Sequence, residues 1–300
     1  MRSLWLALAL CPLTLMAQVE PLGRKAYKPE VFNGLPADIL TSDHMVALLR
    51  EGMEFPGGFI CGASVIADGW ALTAAHCLFD ATCKLRKSAT LYGLSGSSTL
   101  APGLPRLSAT DVLPHPGFTC VTVEEQITAI NEGKPIRMGN DIALVALEGL
   151  KVSQRPLLLA TDDSVAKTRM VASGWGTLGS GSLSYQLMSV QLDPQPLVTC
   201  SLAWKPSILS TDQLCVGPPA KGPAAGICSG DSGGPLVNTQ GSNRVQAGLV
   251  SLGHLVCSKV DRPSLFTNVL THRGWIEKVV GKANLPVAGC TATEVKAGIC

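Results

Sequence analysis

From Val31 onward the chain breaks into many short apolar runs split by Gly, Pro, Ser and Asn. Examples are Ala63–Ile66, Ile142–Leu147, Met170–Ala172 and Gln246–Ser251. Runs this short and this dense predict β-strands folded into an all-β barrel or sandwich. One stretch keeps a different period. In Thr271–Val280 the residues Trp275, Val279 and Val280 fall at helical spacing and predict a single terminal helix. Two N-terminal segments stand apart from this pattern. Leu4 to Leu15 is apolar, Arg2 precedes it and the small residue Ala17 follows, so residues 1–17 read as a cleaved secretory signal. The stretch is shorter than the ~20 residues a membrane span needs. A lipoprotein role for Cys11 is opposed by bulky Leu10 before it. Residues 18–30 are polar, contain proline and carry Arg24, Lys25 and Lys28, and they read as a short propeptide. No internal repeat or low-complexity tract interrupts the pattern.

An apolar fraction of 46% is enough for a sizeable core, and 300 residues allow one large domain or two smaller ones. A formal charge of +2, with no long basic run, argues against nucleic acid as a partner. No segment after the signal has the length and apolarity of a membrane helix, so a membrane partner is not expected either. Of the 11 cysteines, removal of Cys11 with the signal leaves an even set. That suits an oxidising compartment, extracellular or periplasmic, and a disulfide framework. Zinc is the competing use of cysteine, but no Cys/His cluster of metal-ligand spacing exists. Asn-x-Ser/Thr sequons are absent, so N-glycosylation is not expected.

Chemistry is concentrated in three segments. Gly230-Asp231-Ser232-Gly233-Gly234-Pro235 sets a serine in a glycine-lined turn, where little bulk shields its hydroxyl. Thr73-Ala74-Ala75-His76-Cys77 supplies a histidine, and Asn140-Asp141-Ile142-Ala143-Leu144 an aspartate before an apolar run. A serine hydroxyl is a poor nucleophile until a base takes its proton, and an imidazole of pKa ~6.5 suits that task near neutral pH. Each residue alone has a bland reading as a turn residue or a satisfied polar group. All three motifs in the order His76, Asp141, Ser232 make that reading hard to sustain, and the order differs from those of subtilisins and α/β-hydrolases. Around Ser232 the sequence is also not the Gly-x-Ser-x-Gly elbow of esterases.

On these motifs the chain resembles the trypsin/chymotrypsin family of serine endopeptidases, over roughly residues 31–280. The resemblance implies two six-stranded antiparallel β-barrels with the active site between them and a C-terminal helix, and a protease domain spanning 31–282 followed by a tail at 283–300. It implies His76 as general base, Asp141 as the group that orients it, and Ser232 as the nucleophile that forms an acyl-enzyme. The amides of Gly230 and Ser232 would form the oxyanion hole. Asp231 would receive the ammonium of Val31 once a zymogen is cut after Glu30. Phe32 and Asn33 differ from the family's usual start, and Glu30 is not the usual basic residue before the cut, which points to an activating protease accepting Glu or to trimming after Lys28. By the same resemblance Gly226 would stand at the base of the primary specificity pocket with Ile227 beside it. Ser251, Leu252 and Gly253 form one wall, and Ser264 faces Gly226. With no carboxylate at the base, cleavage after uncharged apolar residues follows: Ala, Val, Leu or Met first, Phe or Tyr second. Ile227 resembles elastase-like members and Gly253 chymotrypsin-like ones, which leaves the pocket's size open.

The resemblance also implies the pairs Cys61–Cys77, Cys200–Cys215 and Cys228–Cys257, with Cys83–Cys120 and Cys290–Cys300 pairing the remainder. Between His115-Pro116 and Asp141 the chain is longer than is usual in the family, so Thr119–Met138 is expected to form an overhanging loop beside the cleft, either restricting access or simply solvated. Lys84–Ser88 lies near the family's calcium loop but has the wrong sign for that ion. No cofactor and no metal are expected. The partners implied are protein or peptide substrates, protein protease inhibitors and the activating protease, acting on a monomer. A non-catalytic member that binds a partner protein through the cleft is the rival reading. His44, His115, His254 and His272 carry no recognisable partner pattern, and Trp175 in Ser173-Gly174-Trp175-Gly176 reads as packing.

Overall fold

A computed structural model describes residues 34–132, 134, 139–153, 155–178, 181–204, 212–220, 225–241, 243–253 and 263–290. The chain opens with β1 (Leu35–Pro36), α1 (Ile39–Ser42), β2 (Met45–Arg50), β3 (Phe59–Ala67), β4 (Trp70–Thr73), β5 (Leu91–Ser95) and β6 (Leu107–Pro114). Then come α2 (Val123–Glu132), β7 (Ala143–Leu147), β8 (Leu157–Leu159), β9 (Met170–Gly174), β10 (Met188–Pro194) and α3 (Leu197–Trp204). The last elements are β11 (Gln213–Gly217), β12 (Pro235–Asn238), β13 (Arg244–Leu252), β14 (Ser264–Asn268) and α4 (Val269–Ile276).

The strands close into two antiparallel barrels. The first runs β2-β3-β4-β7-β6-β5 and closes between β5 and β2. In the second, β10-β11-β14-β13-β12-β9 closes through the β9–β10 pairing, with β1 added to β10 and β8 added in parallel to β13. Closure removes open sheet edges, and it gives each strand one face toward its own barrel and one outward.

That geometry explains why the strands read as continuous apolar runs instead of a clean alternation. In β2, Val46 and Leu48 fill the first barrel, while Met45, Ala47 and Leu49 pack with Trp175 and Leu187 of the second half. In β7, Ala143, Val145 and Leu147 point inward, and Leu144 joins Ile142, Ile66 and Leu72 against Leu249, Val269 and Ile276. Both faces are buried because the barrels bury each other. Each aliphatic side chain so enclosed is worth about 1.5–3 kcal/mol relative to exposure. Polar ties cross the same seam. Ser64 Oγ donates to Gln246 Oε1 at 2.8 Å, and Arg244 reaches Asp43 at 2.6 Å.

Two expectations change. The terminal helix begins at Val269, ahead of Thr271, because Asn268 caps it by accepting from the Leu270 amide at 3.1 Å. The Thr119–Met138 segment is not all loop, since α2 occupies ten residues of it. Thr122 Oγ1 accepts from the Glu125 amide, and the Glu125 carboxylate accepts from the Thr122 amide at 2.7 Å, a reciprocal capping box that starts the helix. Disulfide Cys83–Cys120 and the Phe79–Phe118 ring contact at 5.6 Å pin the segment's first residues to the first barrel. Packing continues beyond residue 282, since Leu285 is buried in the inter-barrel cluster. Among the described residues no helix is long and apolar enough to cross a membrane.

Candidate active site

Strand register brings the histidine and the aspartate together. Thr73, the last residue of β4, pairs with Ala143, the first of β7. His76 lies three residues past one end and Asp141 two residues before the other, so both emerge at the same end of the same strand pair. The His76 amide donates to Asp141 Oδ1 at 2.9 Å, and His76 Nδ1 meets Asp141 Oδ2 at 2.8 Å. An ionised carboxylate only accepts, so Nδ1 carries the proton and Nε2 is left with its lone pair. The His76 side chain is 27% exposed and that of Asp141 is fully enclosed, so the ring reaches the surface while the anion stays dry.

The second barrel completes the surroundings of Asp141. Ser251 Oγ donates to Asp141 Oδ2 at 2.6 Å, and Thr267 Oγ1 donates to the Asp141 carbonyl at 2.8 Å. Burial pushes the Asp141 carboxyl up, but the charge and hydrogen bonds of His76 with the Ser251 hydroxyl outweigh it and hold the group below the usual carboxylate range. Burial pulls the His76 imidazole down, and the Asp141 charge and hydrogen bond overcome that to raise it above its ordinary value.

Ser232 sits in the turn before β12. Its carbonyl accepts from the Gly62 amide of β3 at 2.9 Å, and the next amide, of Gly233, donates to Val250 of β13 at 2.9 Å. The turn is thus clamped between the barrels, against the strand whose Cys61 is bonded to Cys77, the neighbour of His76. Among the described residues no hydrogen bond joins Ser232 Oγ to His76 Nε2, a contact that often forms fully only around substrate. Gly230 has φ +94°, which a residue with a side chain rarely adopts. Among the described residues neither the Gly230 nor the Ser232 amide is taken by a protein acceptor, so two donors remain available at the turn.

Asp231 points away from the cleft, into the protein. Its carboxylate accepts from the Cys228 amide at 2.8 Å and the Gly176 amide at 2.9 Å. Burial raises its pKa to about 6, and these two backbone donors offset only part of that cost. The fit is close: a Cβ added at Gly174 would lie 2.2 Å from Asp231 Oδ1, and one at Gly176 2.5 Å from it. Trp175, between those glycines, is wholly buried and packs as expected of it. Val31 lies outside the described residues.

Gly226 and Ile227 are buried, and Ser264 lies on β14 opposite Val216. A Cβ built at Gly253 would meet Ile227 Cδ1 at 3.0 Å and Ser264 Oγ at 3.7 Å, so these three residues share one small space. Leu252 packs on the Cys200–Cys215 disulfide. Ser251, read from sequence as pocket wall, also directs its hydroxyl onto Asp141. Cys228 and Cys290 are each disulfide-bonded, and their expected partners Cys257 and Cys300 lie outside the described residues. The ligand atoms of His76, Cys61 and Cys77 lie within 4.8 Å of one another, but the two sulfurs are spent on their disulfide and offer no thiolate. Near Lys84, the Asp80 carboxylate is engaged by the amides of Thr82 and Lys84 at 2.9 and 3.0 Å.

Three histidines with no partner pattern in sequence have partners in the fold. His44 meets Arg244 and His272 meets Asp212, while His115 stacks edge-on against His272 and Trp275 at 5.0 Å. His254 lies outside the described residues.

A buried aspartate–histidine pair, a clamped serine and, among the described residues, two unengaged amides at its turn stand in the arrangement that acyl transfer requires, and the family can be read from similarity to known proteins. A family model described as trypsin matches residues 31–276. Human granzyme M is 34% identical over 248 residues, covering 80% of this chain and 85% of the relative. Human kallikrein-5 is 28% identical over 256 residues, covering 83% and 76%. Among solved structures, neuropsin, a serine protease expressed in the limbic system of mouse brain, superposes with a TM-score of 0.64 at 23% identity, over 82% of this chain and 98% of the other. Barrels, site and relatives converge: the chain belongs to the trypsin family and is a serine endopeptidase.

Proposed function

We propose that this chain is a secreted zymogen whose cut form hydrolyses peptide bonds after uncharged apolar residues. His76 Nε2 takes the Ser232 proton as Oγ attacks the scissile carbonyl. The tetrahedral oxyanion then lies against the Gly230 and Ser232 amides. Collapse expels the amine, which receives that proton from His76, and water repeats the cycle to release the acyl-enzyme. The observation that carries the reading is the buried Asp141 carboxylate, which takes both the amide and Nδ1 of His76 and so leaves Nε2 as the base.

Two further features support the finer parts. The pocket base, Gly226, carries no charge to pair with Lys or Arg, and Ile227 fills space beneath Gly253. This favours Ala, Val, Leu or Met over Phe and Tyr at the residue before the cut. Asp231 is buried with only backbone donors among the described residues, a setting in which an entering Val31 ammonium would be strongly favoured.

A fluorophosphonate serine probe tests the reading before and after cleavage at Glu30–Val31, with Ser232→Ala as control. Labelling is expected only after the cut and only with Ser232 present. A folded, correctly cut protein that stays unlabelled overturns it and favours a non-catalytic cleft. A peptide-library profile dominated by Lys or Arg would overturn the pocket assignment alone.

A further inference from the structure

Joined to the residue before Asp141 is a second buried carboxylate–imidazole pair. Asp212, just before β11, and His272, on α4, are 6% and 3% exposed. His272 Nε2 is in close contact with Asp212 Oδ1, and Asp212 Oδ2 accepts from the Asn140 amide at 2.7 Å. Asn140 immediately precedes Asp141 and has φ +58°, a left-handed conformation that asparagine adopts more readily than other residues with a side chain. It is held on three sides: its amide by Asp212, its side-chain Nδ2 by the Gly117 carbonyl at 3.1 Å, and its own carbonyl by the Ile142 amide at 2.8 Å.

We propose that Asp212 and His272 are positioning residues that set the direction of the Asp141 carboxylate by fixing the backbone of Asn140. This rests on the reading of Asp141 as the group that orients the catalytic base. Asp141 is already gripped beyond its own residue by Thr267, and the Asp212 backbone carbonyl accepts from Asn268 at 2.9 Å, so β14, α4 and the residue entering β11 form one frame around it. Among the described residues the polar groups facing Asp212 are the His272 imidazole from α4, the Asn140 amide, and, one ring further, His115 from the turn after β6. His115 is capped at Nδ1 by the Gly117 amide at 3.1 Å, which links the same turn to Asn140. Among the described residues none of these side chains bonds to His76 or Ser232. Their effect passes through one backbone unit to the carboxylate that His76 depends on.

The test uses the cut chain, with active sites counted by the fluorophosphonate probe, so that kcat is expressed per competent site. Asp212→Asn removes the charge and replaces one of the two acceptor oxygens by an NH2 donor, so the Asn140 and His272 contacts can no longer both be made to a carboxylate. A displaced Asp141 stabilises the His76 imidazolium less, so kcat per site should fall about tenfold with KM within about twofold, and misplacements of ~1 Å cost up to 10²-fold. The acid limb of kcat/KM, which reports the raised His76, should move to lower pH. His272→Gln retains a neutral donor to Asp212 and should show a smaller loss of the same kind, whereas His272→Leu should match or exceed Asp212→Asn. If Asp212→Asn yields no folded protein, the two His272 variants decide. An unchanged kcat per site and an unchanged acid limb, with only the number of competent sites reduced, means a purely structural role and overturns the proposal. Turnover surviving in Ser232→Ala would instead overturn the reading of the site on which it rests.

Discussion

Asp141 and Asp231 are both withdrawn from solvent, yet their carboxyls shift in opposite directions. Asp141 is surrounded by side chains that can carry charge or turn a hydroxyl toward it, and its pKa lies below the ordinary range. Asp231 has two backbone amides, and its pKa rises to about 6. Burial alone therefore does not set the charge of an enclosed carboxylate. The number and kind of donors do, and a cation outweighs two neutral amides. The Asp141 site is complete as it stands, whereas the Asp231 site is short of a positive partner among the described residues.

The largest expected effect comes from breaking the complete site. Asp141→Asn would present an amide where Nδ1–H needs an acceptor of fixed orientation, and kcat should fall by about 10⁴, the loss seen when a triad aspartate is neutralised. Steady-state kinetics on the cut chain checks this. On the proposed activation, removing the charge at Asp231 should cost less, because Asp231 would act only through the shape of the oxyanion hole: about 10²–10³ in kcat for Asp231→Asn, the cost of one lost donor. Equal losses for the two variants would erase the distinction between the sites.

The same pair separates in stability against pH. Asp231 keeps its proton in the folded chain to about pH 6, whereas an unfolded aspartate releases it near ~3.9. Between those values the folded state binds more protons, so stability falls as pH rises through the window. In the uncut chain, urea melts at pH 4 and pH 7 should show wild type losing roughly 2 kcal/mol relative to Asp231→Asn. A flat difference would mean a cation already sits beside Asp231. The smallest effect belongs to Ser251→Ala, which leaves Asp141 with both His76 contacts but without the hydroxyl at 2.6 Å. Loss of a hydrogen bond to a charged group is worth about 1.5–3 kcal/mol, only part of it felt in the transition state, so a drop of about tenfold in kcat is expected. The acid limb should shift less than in Asp141→Asn.

Much of this was legible along the chain because it is local or repeated. Short apolar runs announced strands, and the terminal helix was visible in its own period. The Ser232 turn showed in its glycines, one of which, Gly230, adopts a φ that side chains avoid. The capping box that starts α2 was also present, as Thr122 three residues before Glu125. A capping box alone marks where a helix can start, not that the segment after it folds as one.

Other features leave no local trace. Ser251 serves Asp141 from 110 residues away, and His272 meets Asp212 across 60. By itself the sequence determined which residues could do chemistry and which segments would be extended, since side-chain identity and short-range periodicity are properties of the chain. Tertiary structure alone decided which buried carboxylate is fully satisfied. That depends on which donors closure of the two barrels brings within hydrogen-bond distance, and such distances are set by strand register and packing between residues far apart in the chain.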